Sequence, residues 1–125
     1  MKIQSFNEYQ SKAVSMRVSL QRFLVKHPDL PEDVIELIGV TYDGLGLGEA
    51  GEVQGKIKKI IRDSGGVITD KDRTEIAKEL GDCLWYIASM CQNLGITMES
   101  VATGNIEKLE SRHLRGTVHG SGDNR

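Results

Sequence analysis

Apolar side chains recur every three to four positions along most of this 125-residue chain, which is the period of helices that bury one face. The first such segment opens with Ser5 and Glu8, a capping-box spacing in which each side chain can satisfy a backbone N–H of the first turn. It ends near His27, because Pro28 and Pro31 each disfavour helix in the residue before them. The pattern predicts a single helix over this segment.

The middle of the chain shows the same period in two pieces, residues 32–40 and residues 49–62. Glycines at positions 44, 46 and 48 separate the two pieces. The sequence leaves open whether the helix passes through these glycines or restarts after them. Gly65 and Gly66 predict the end of the second piece.

Two further helices are predicted in the second half of the chain. Asp72 and Glu75 form another capping-box spacing, which opens a long helix that ends near Leu94. Thr97 can cap a last helix over residues 98–112. Helices with short connections and no convincing strand pair predict an all-α fold, an antiparallel bundle of four to five helices in one domain over residues 1–115. Residues 116–125 are polar and glycine-rich, and we expect them to form a flexible tail.

Composition narrows the class of protein. Aromatic residues make up only 5% of the chain, which is typical of an aliphatic helix bundle, and the formal net charge of −2 argues against binding a nucleic-acid polymer. Cys83 and Cys91 are eight apart in one helical segment, too distant for a disulfide, so we expect reduced thiols. No apolar run is long enough for a membrane span and the start shows no signal-peptide pattern. These features predict a cytoplasmic protein that binds no membrane.

Two pairs of acids carry the strongest chemical signal. Glu49 and Glu52 are three apart on one predicted helix, and Glu79 and Asp82 repeat that spacing on the next. An apolar stripe runs beside each pair, so packing the stripes together brings the four carboxylates near one another. Divalent cations relieve the resulting repulsion and desolvation. An all-oxygen ligand set suits Mg²⁺, with Mn²⁺ as a substitute, and the three histidines show no ligand spacing.

Cations on two helices are candidates for binding phosphate. Asn105, Lys108 and Arg112 fall on one polar stripe of the last predicted helix. Lys56 extends the first acidic stripe by one turn. Each also has an ordinary structural interpretation: Lys56 can pair with Glu52 on the surface, and the two cations of the last helix can complement its dipole.

Together these segments resemble the MazG-type nucleoside triphosphate pyrophosphohydrolases of the all-α NTP pyrophosphatase superfamily. The resemblance rests on GEAGE at residues 48–52, ELGD followed by CLWYI at residues 79–87, and NIEKLESRH at residues 105–113. It covers residue 44 to about residue 116. The resemblance implies metal-binding, catalytic carboxylates at Glu49, Glu52, Glu79 and Asp82. It also implies that Lys108 and Arg112 hold substrate phosphates, assisted by Asn105.

The resemblance implies an Mg²⁺-dependent enzyme that cleaves a nucleoside triphosphate to the monophosphate and pyrophosphate, by attack of water at the α-phosphorus. One of the four carboxylates would serve as base, and which one is left open. A homodimer or homotetramer is expected, because a second subunit often completes such sites. Two alternatives remain: a dUTPase-like or dCTPase-like member of the superfamily, and a non-catalytic helical module that binds another protein. A di-iron bundle is disfavoured, since no His follows these acids at the required spacing of three.

Overall fold

The chain folds into helices joined by short connections. The computed structural model describes residues 1–124, which contain no β-strand. Its helices are α1 (Phe6–Ser15), α2 (Val18–Lys26), α3 (Glu32–Gly46), α4 (Ala50–Ser64), α5 (Asp70–Asn93) and α6 (Met98–Leu114), with a 3-10 turn at Leu47–Glu49. The prediction of an all-α fold is confirmed.

The predicted first helix is divided into α1 and α2. The backbone of Arg17 has φ −75° and ψ 84°, outside the helical region, so the helix is interrupted there. The Arg17 guanidinium donates a hydrogen bond to Oδ1 of Asn93 on α5 at 2.6 Å. The break thus places a cation of the first segment against the central helix, which apolar periodicity alone could not foresee.

The helix caps agree with the sequence in part. Ser5 accepts the Glu8 N–H at 3.1 Å, as predicted. The capping box of α5, however, is formed by Thr69 and Asp72, so this helix begins three residues before the predicted start. Asp72 accepts the Thr69 N–H at 2.9 Å from within the first turn. The prediction that Asp72 and Glu75 open the helix was therefore wrong. Thr97 caps α6 as predicted.

The glycine-rich segment passes from α3 to α4 without leaving the right-handed helical region. Gly46 and Glu49 both have helical backbone angles, and the 3-10 turn joins the two α-helices. A Cβ atom at Gly46 would overlap the ring of Tyr86 on α5. The absence of a side chain at Gly46 therefore lets α3 and the 3-10 turn approach α5 closely.

Helix α5 lies at the centre and packs against α1, α3, α4 and the 3-10 turn. Buried Ala88 and Cys91 of α5 form a core with Ala13 and Met98. Buried Gln10 of α1 strengthens this corner: its side chain donates to the Ile96 carbonyl at 2.9 Å and accepts the Met98 N–H at 2.8 Å. Helix α6 is thus held at its start. Cys83 and Cys91 are free thiols, as predicted.

The chain exposes an unusually large surface. Its accessible area is 9109 Å², whereas a compact monomer of this mass is expected to expose about 6,600 Å². Exposed large apolar side chains contribute to the excess on several helices. They include Ile57 and Ile61 of α4, and Ile106, Leu109 and Leu114 of α6. None of the described helices is long and apolar enough to cross a membrane.

Candidate metal and phosphate site

Three of the four predicted carboxylates meet at one place. Glu49 comes from the 3-10 turn, and Glu79 and Asp82 come from successive turns of α5. One carboxylate oxygen from each lies within 4.8 Å of the other two. Because the 3-10 turn packs directly on α5, the fold converts two separate sequence motifs into one acidic cluster.

Glu52 lies outside this group of three. It is exposed in the first turn of α4, whereas Glu49 belongs to the 3-10 turn before that helix begins. The prediction treated both acids as members of one regular helix face. The change from 3-10 to α-helical geometry between them explains why the two carboxylates need not point to the same place.

Lys56 is the cation that reaches the acidic cluster. Its Nζ lies 3.1 Å from Oε1 of Glu79, an ion pair that joins α4 to α5. This contact replaces the surface pair with Glu52 that the sequence also allowed. One ammonium compensates only part of the charge of three carboxylates. A cavity of about 290 Å³ continues from Lys56 between the two helices and is also lined by Lys59 and Glu75.

The acidic cluster fits a hard divalent cation. An octahedral Mg²⁺ shell with bonds of about 2.1 Å keeps its ligand atoms within about 4.2 Å of one another. The three oxygens all lie within 4.8 Å of one another, slightly beyond that limit, so a bound Mg²⁺ would draw them closer together. The donor set contains only carboxylate oxygens, which suits Mg²⁺ or Mn²⁺ better than Zn²⁺.

The ring of Tyr86 links this cluster to the glycine-rich segment. Burial is the main cause that raises the pKa of its hydroxyl, and the nearby Tyr42, Glu49 and Asp82 raise it further. Tyr86 is therefore a neutral hydrogen-bonding group beside the carboxylates at ordinary pH. The sequence alone indicated no such role for Tyr86. Its spacing of four residues from Asp82 was the signal that could have indicated one, because that spacing places the two residues on one helix face.

A second acid, Asp43, was missed by the sequence analysis. It is 1% exposed on α3 and accepts a hydrogen bond from the Asn93 amide at 2.6 Å. Burial raises the pKa of its carboxyl, and hydrogen bonds from Ser89 and Asn93 and the charge of Arg17 partly oppose that rise. Asp43 lies four residues after the buried Gly39, on the inward face of α3, and the burial of that face is visible only in the fold.

In the described part of the chain, the cations of the predicted basic stripe make their ion pairs with the tail and not with the acidic cluster. Lys108 and Arg112 of α6 make their ion pairs in the described chain with Asp123 of the tail, at 3.5 and 3.4 Å. Arg112 is 5% exposed. Asn105 is exposed on the same helix. Within one chain, the structure therefore brings Lys56 to the carboxylates but pairs the two cations of α6 with the tail.

Comparison with known proteins identifies the family. Residues 44–116, more than half of the chain, match the MazG nucleotide pyrophosphohydrolase domain. The Gene 37 protein of Mycobacterium phage L5 is 46% identical over 94 residues, which cover 74% of this chain and 82% of that protein. No solved structure matches. The matched range holds the acidic cluster and the basic stripe, which confirms the resemblance seen in the sequence. The chain belongs to the family of MazG nucleotide pyrophosphohydrolase domains.

Proposed function

We propose that the protein is an Mg²⁺-dependent enzyme that hydrolyses nucleoside triphosphates to the monophosphate and pyrophosphate. The observation that carries the proposal is the cluster of Glu49, Glu79 and Asp82, which lies in the part of the chain that matches the family. Mg²⁺ favours a few carboxylates combined with phosphate oxygens, so this cluster suits a phosphorylated substrate.

The residues of the cluster have separable proposed roles. Glu49, Glu79 and Asp82 hold the cation. A bound Mg²⁺ would neutralise phosphate oxygens and lower the pKa of the attacking water. Glu52 lies outside the group of three, so we assign it to accept the proton from that water as it attacks the α-phosphorus. In the ligand set implied by the family, Glu52 also contacts the metal.

Cations complete the proposed site. The Lys56 ammonium, now 3.1 Å from Glu79, is close enough to turn to a phosphate oxygen when the carboxylate binds metal. Lys108 and Arg112 stabilise the charge that develops on the departing pyrophosphate, with Asn105 beside them. Since Lys108 and Arg112 pair with the tail within one chain, we propose that a second copy contributes to the phosphate contacts of the site.

A homodimer or homotetramer also accounts for the exposed surface. The area of one chain exceeds that of a compact monomer by roughly 2,500 Å². A standard interface covers only about 800 Å² of each partner, so an obligate interface of about 2,000–5,000 Å² in total is the kind that could cover much of this excess. The exposed apolar residues of α4 and α6 supply a surface of the required kind. We therefore propose that these two helices form the contact between copies.

The position of attack is tested by hydrolysis in ¹⁸O-labelled water. Attack at the α-phosphorus places the label in the monophosphate and releases unlabelled pyrophosphate in one step. Label only in orthophosphate or pyrophosphate would contradict the proposal. A panel of canonical nucleotides that includes dUTP and dCTP, with Mg²⁺ or with excess EDTA, identifies the preferred base and tests the metal requirement. Absence of hydrolysis across the panel would instead favour a non-catalytic module.

A further inference from the structure

The end of the chain folds back over the basic part of α6. Gly116 has a φ of 67°, in the left-handed region that favours glycine, and turns the backbone after the helix. The N–H of Thr117 then donates to the Arg112 carbonyl at 2.9 Å. The residues that follow return to the level of Lys108, which lies 15 positions before its partner Asp123.

The returning tail places oxygen atoms on both cations of α6. Nη2 of Arg112 donates to the Asp123 carbonyl at 2.7 Å and to the Gly122 carbonyl at 3.4 Å. Oδ1 of Asp123 lies 3.4 Å from the same nitrogen and 3.5 Å from Nζ of Lys108. Asp123 is the one acid in residues 116–125. The charge of Lys108 first, and Arg112 second, lower the pKa of its carboxyl.

The tail satisfies only part of the hydrogen-bonding capacity of the Arg112 guanidinium. The Arg112 side chain is 6% exposed, whereas that of Asp123 is 85% exposed. Nε of Arg112 is buried and has no hydrogen-bond partner. A planar guanidinium favours two parallel bonds to one anion, and a phosphate offers more oxygens and more charge than a single carboxylate. A phosphate can therefore form more hydrogen bonds and a stronger electrostatic interaction with Arg112 than the tail does.

We propose that the tail is an intramolecular competitor for the anion site of Lys108 and Arg112, with the Asp123 carboxylate standing where a phosphate oxygen binds. This inference rests on the proposed function, in which the same two cations bind the phosphates of the substrate. The tail weakens phosphate binding and leaves the acidic cluster and its chemistry unchanged. Asp123 is 85% exposed and its ion pairs are long, 3.4–3.5 Å, so we expect the tail contact to be weak enough for substrate to displace it.

Pyrophosphate is the probe for the test, titrated calorimetrically into the full chain at low salt. Asp123→Asn removes the competing charge and should lower the Kd for pyrophosphate about two- to fivefold, as expected for the loss of a carboxylate that pairs weakly with both cations. Asp123→Glu keeps the carboxylate and should stay close to the wild type. Asp29→Asn makes the same chemical change at an exposed loop position before α3 and should have no effect. The gain in Asp123→Asn should shrink at about 0.5 M salt.

The outcomes separate the two proposals. An unchanged or larger Kd for pyrophosphate in Asp123→Asn would contradict the proposal that the tail competes for the anion site. Failure of every protein to bind pyrophosphate would contradict it as well. If Asp123→Asn binds pyrophosphate more tightly but no variant hydrolyses a nucleotide, the tail inference stands and the enzymatic proposal falls. If nucleotides are hydrolysed with the same KM and pyrophosphate Kd in both proteins, only the tail inference falls.

Discussion

In the proposed function, Lys56 and a divalent cation would compete for the carboxylate of Glu79. The ammonium lies 3.1 Å from that group and offsets part of the repulsion among Glu49, Glu79 and Asp82. A metal ion offsets more of it, because a divalent charge at bonding distance outweighs an ammonium at the edge of the cluster. At the residue scale the site thus has two ways to balance its charge, and only one of them supports the proposed chemistry.

Replacing Asp82 with Asn should separate stability from activity. The change removes one negative charge from the cluster, so stability without metal should rise or stay constant, while hydrolysis should fall at least about 100-fold. Wild-type protein should melt at a higher temperature in saturating Mg²⁺, since a ligand at 100 times its Kd adds about 2.7 kcal/mol. Asp82→Asn should lose that shift.

Glu75→Gln is the matched control for that variant. Glu75 lies on α5 and pairs with Lys78 at 2.7 Å, outside the acidic cluster. The same loss of a carboxylate charge should leave both the Mg²⁺ shift and the activity close to wild type. Equal effects of the two substitutions on the Mg²⁺ shift would remove the cluster from the metal site.

Asp43 should make stability depend on pH in a direction opposite to that of a surface carboxylate. Its pKa is raised in the folded protein, chiefly by burial. Below the pKa that Asp43 has in the unfolded chain, the carboxyl is protonated in both states and does not affect the free energy of unfolding. As the pH rises through the higher pKa of the folded protein, stability is lost. The difference between the melting temperatures of Asp43→Asn and the wild type should therefore shift in favour of the variant as the pH rises from acid to neutral. Thermal unfolding across pH 3.5–7 measures this; a gain that falls with rising pH would contradict the assignment.

At the scale of the elements, apolar periodicity was enough to predict the helices that bury one face. It was not enough to predict how consecutive helices are connected. Helix α6 and its Thr97 cap follow directly from local spacing. The break at Arg17 accompanies a contact with Asn93, which is 76 positions away. The continuity of α3 and α4 through Gly46 depends in the same way on packing against Tyr86. Local patterns contain no information on such partners.

The same reasoning explains how far the site could be predicted. The two acidic motifs predicted that Glu49, Glu79 and Asp82 lie close together, because each motif adjoins an apolar stripe that packs against the other. The structure brings one oxygen of each acid within 4.8 Å of the others. The relation of Glu52 to Glu49 depends on a 3-10 turn, which the sequence did not reveal. Asp43 and Tyr86 depend on contacts between helices, so only the fold shows their environment.

Gly46 and Gly48 provide a matched pair for testing the joint between α3 and α4. A Cβ at Gly46 would overlap the Tyr86 ring, whereas a Cβ at Gly48 has nothing within 4 Å. Gly46→Ala should destabilise the protein by about 1–3 kcal/mol through overpacking and should reduce activity by displacing Glu49. Gly48→Ala should be neutral or slightly stabilising, since alanine favours helix. Denaturant unfolding of both variants decides the matter; equal stability would mean that Tyr86 does not pack on Gly46.

At the scale of the whole molecule, the small core and the large exposed surface have the same cause, since apolar side chains that are not buried in the core remain exposed. The buried apolar residues of the described chain are few and mostly small: Ala13, Ile60, Ala88, Cys91 and Met98. Helix α6 packs on α1 and α5, while its apolar residues Ile106, Leu109 and Leu114 stay exposed. A chain with this distribution buries less apolar area than a compact domain of its length, so association with another copy would supply the missing burial.

Charge on the exposed face of α4 should therefore dissociate the proposed oligomer. Ile61→Glu places a carboxylate at a position that is 65% exposed within one chain, and burying it against a second copy would cost several kcal/mol. Sedimentation should show a shift from dimer or tetramer to monomer, with a loss of activity if α6 of the partner completes the site. Val25→Glu, at an 80% exposed position of α2, is the control and should leave the mass unchanged. A wild-type protein that sediments as a monomer at micromolar concentration would refute the oligomer, and full activity in that monomer would mean that one chain holds the entire site.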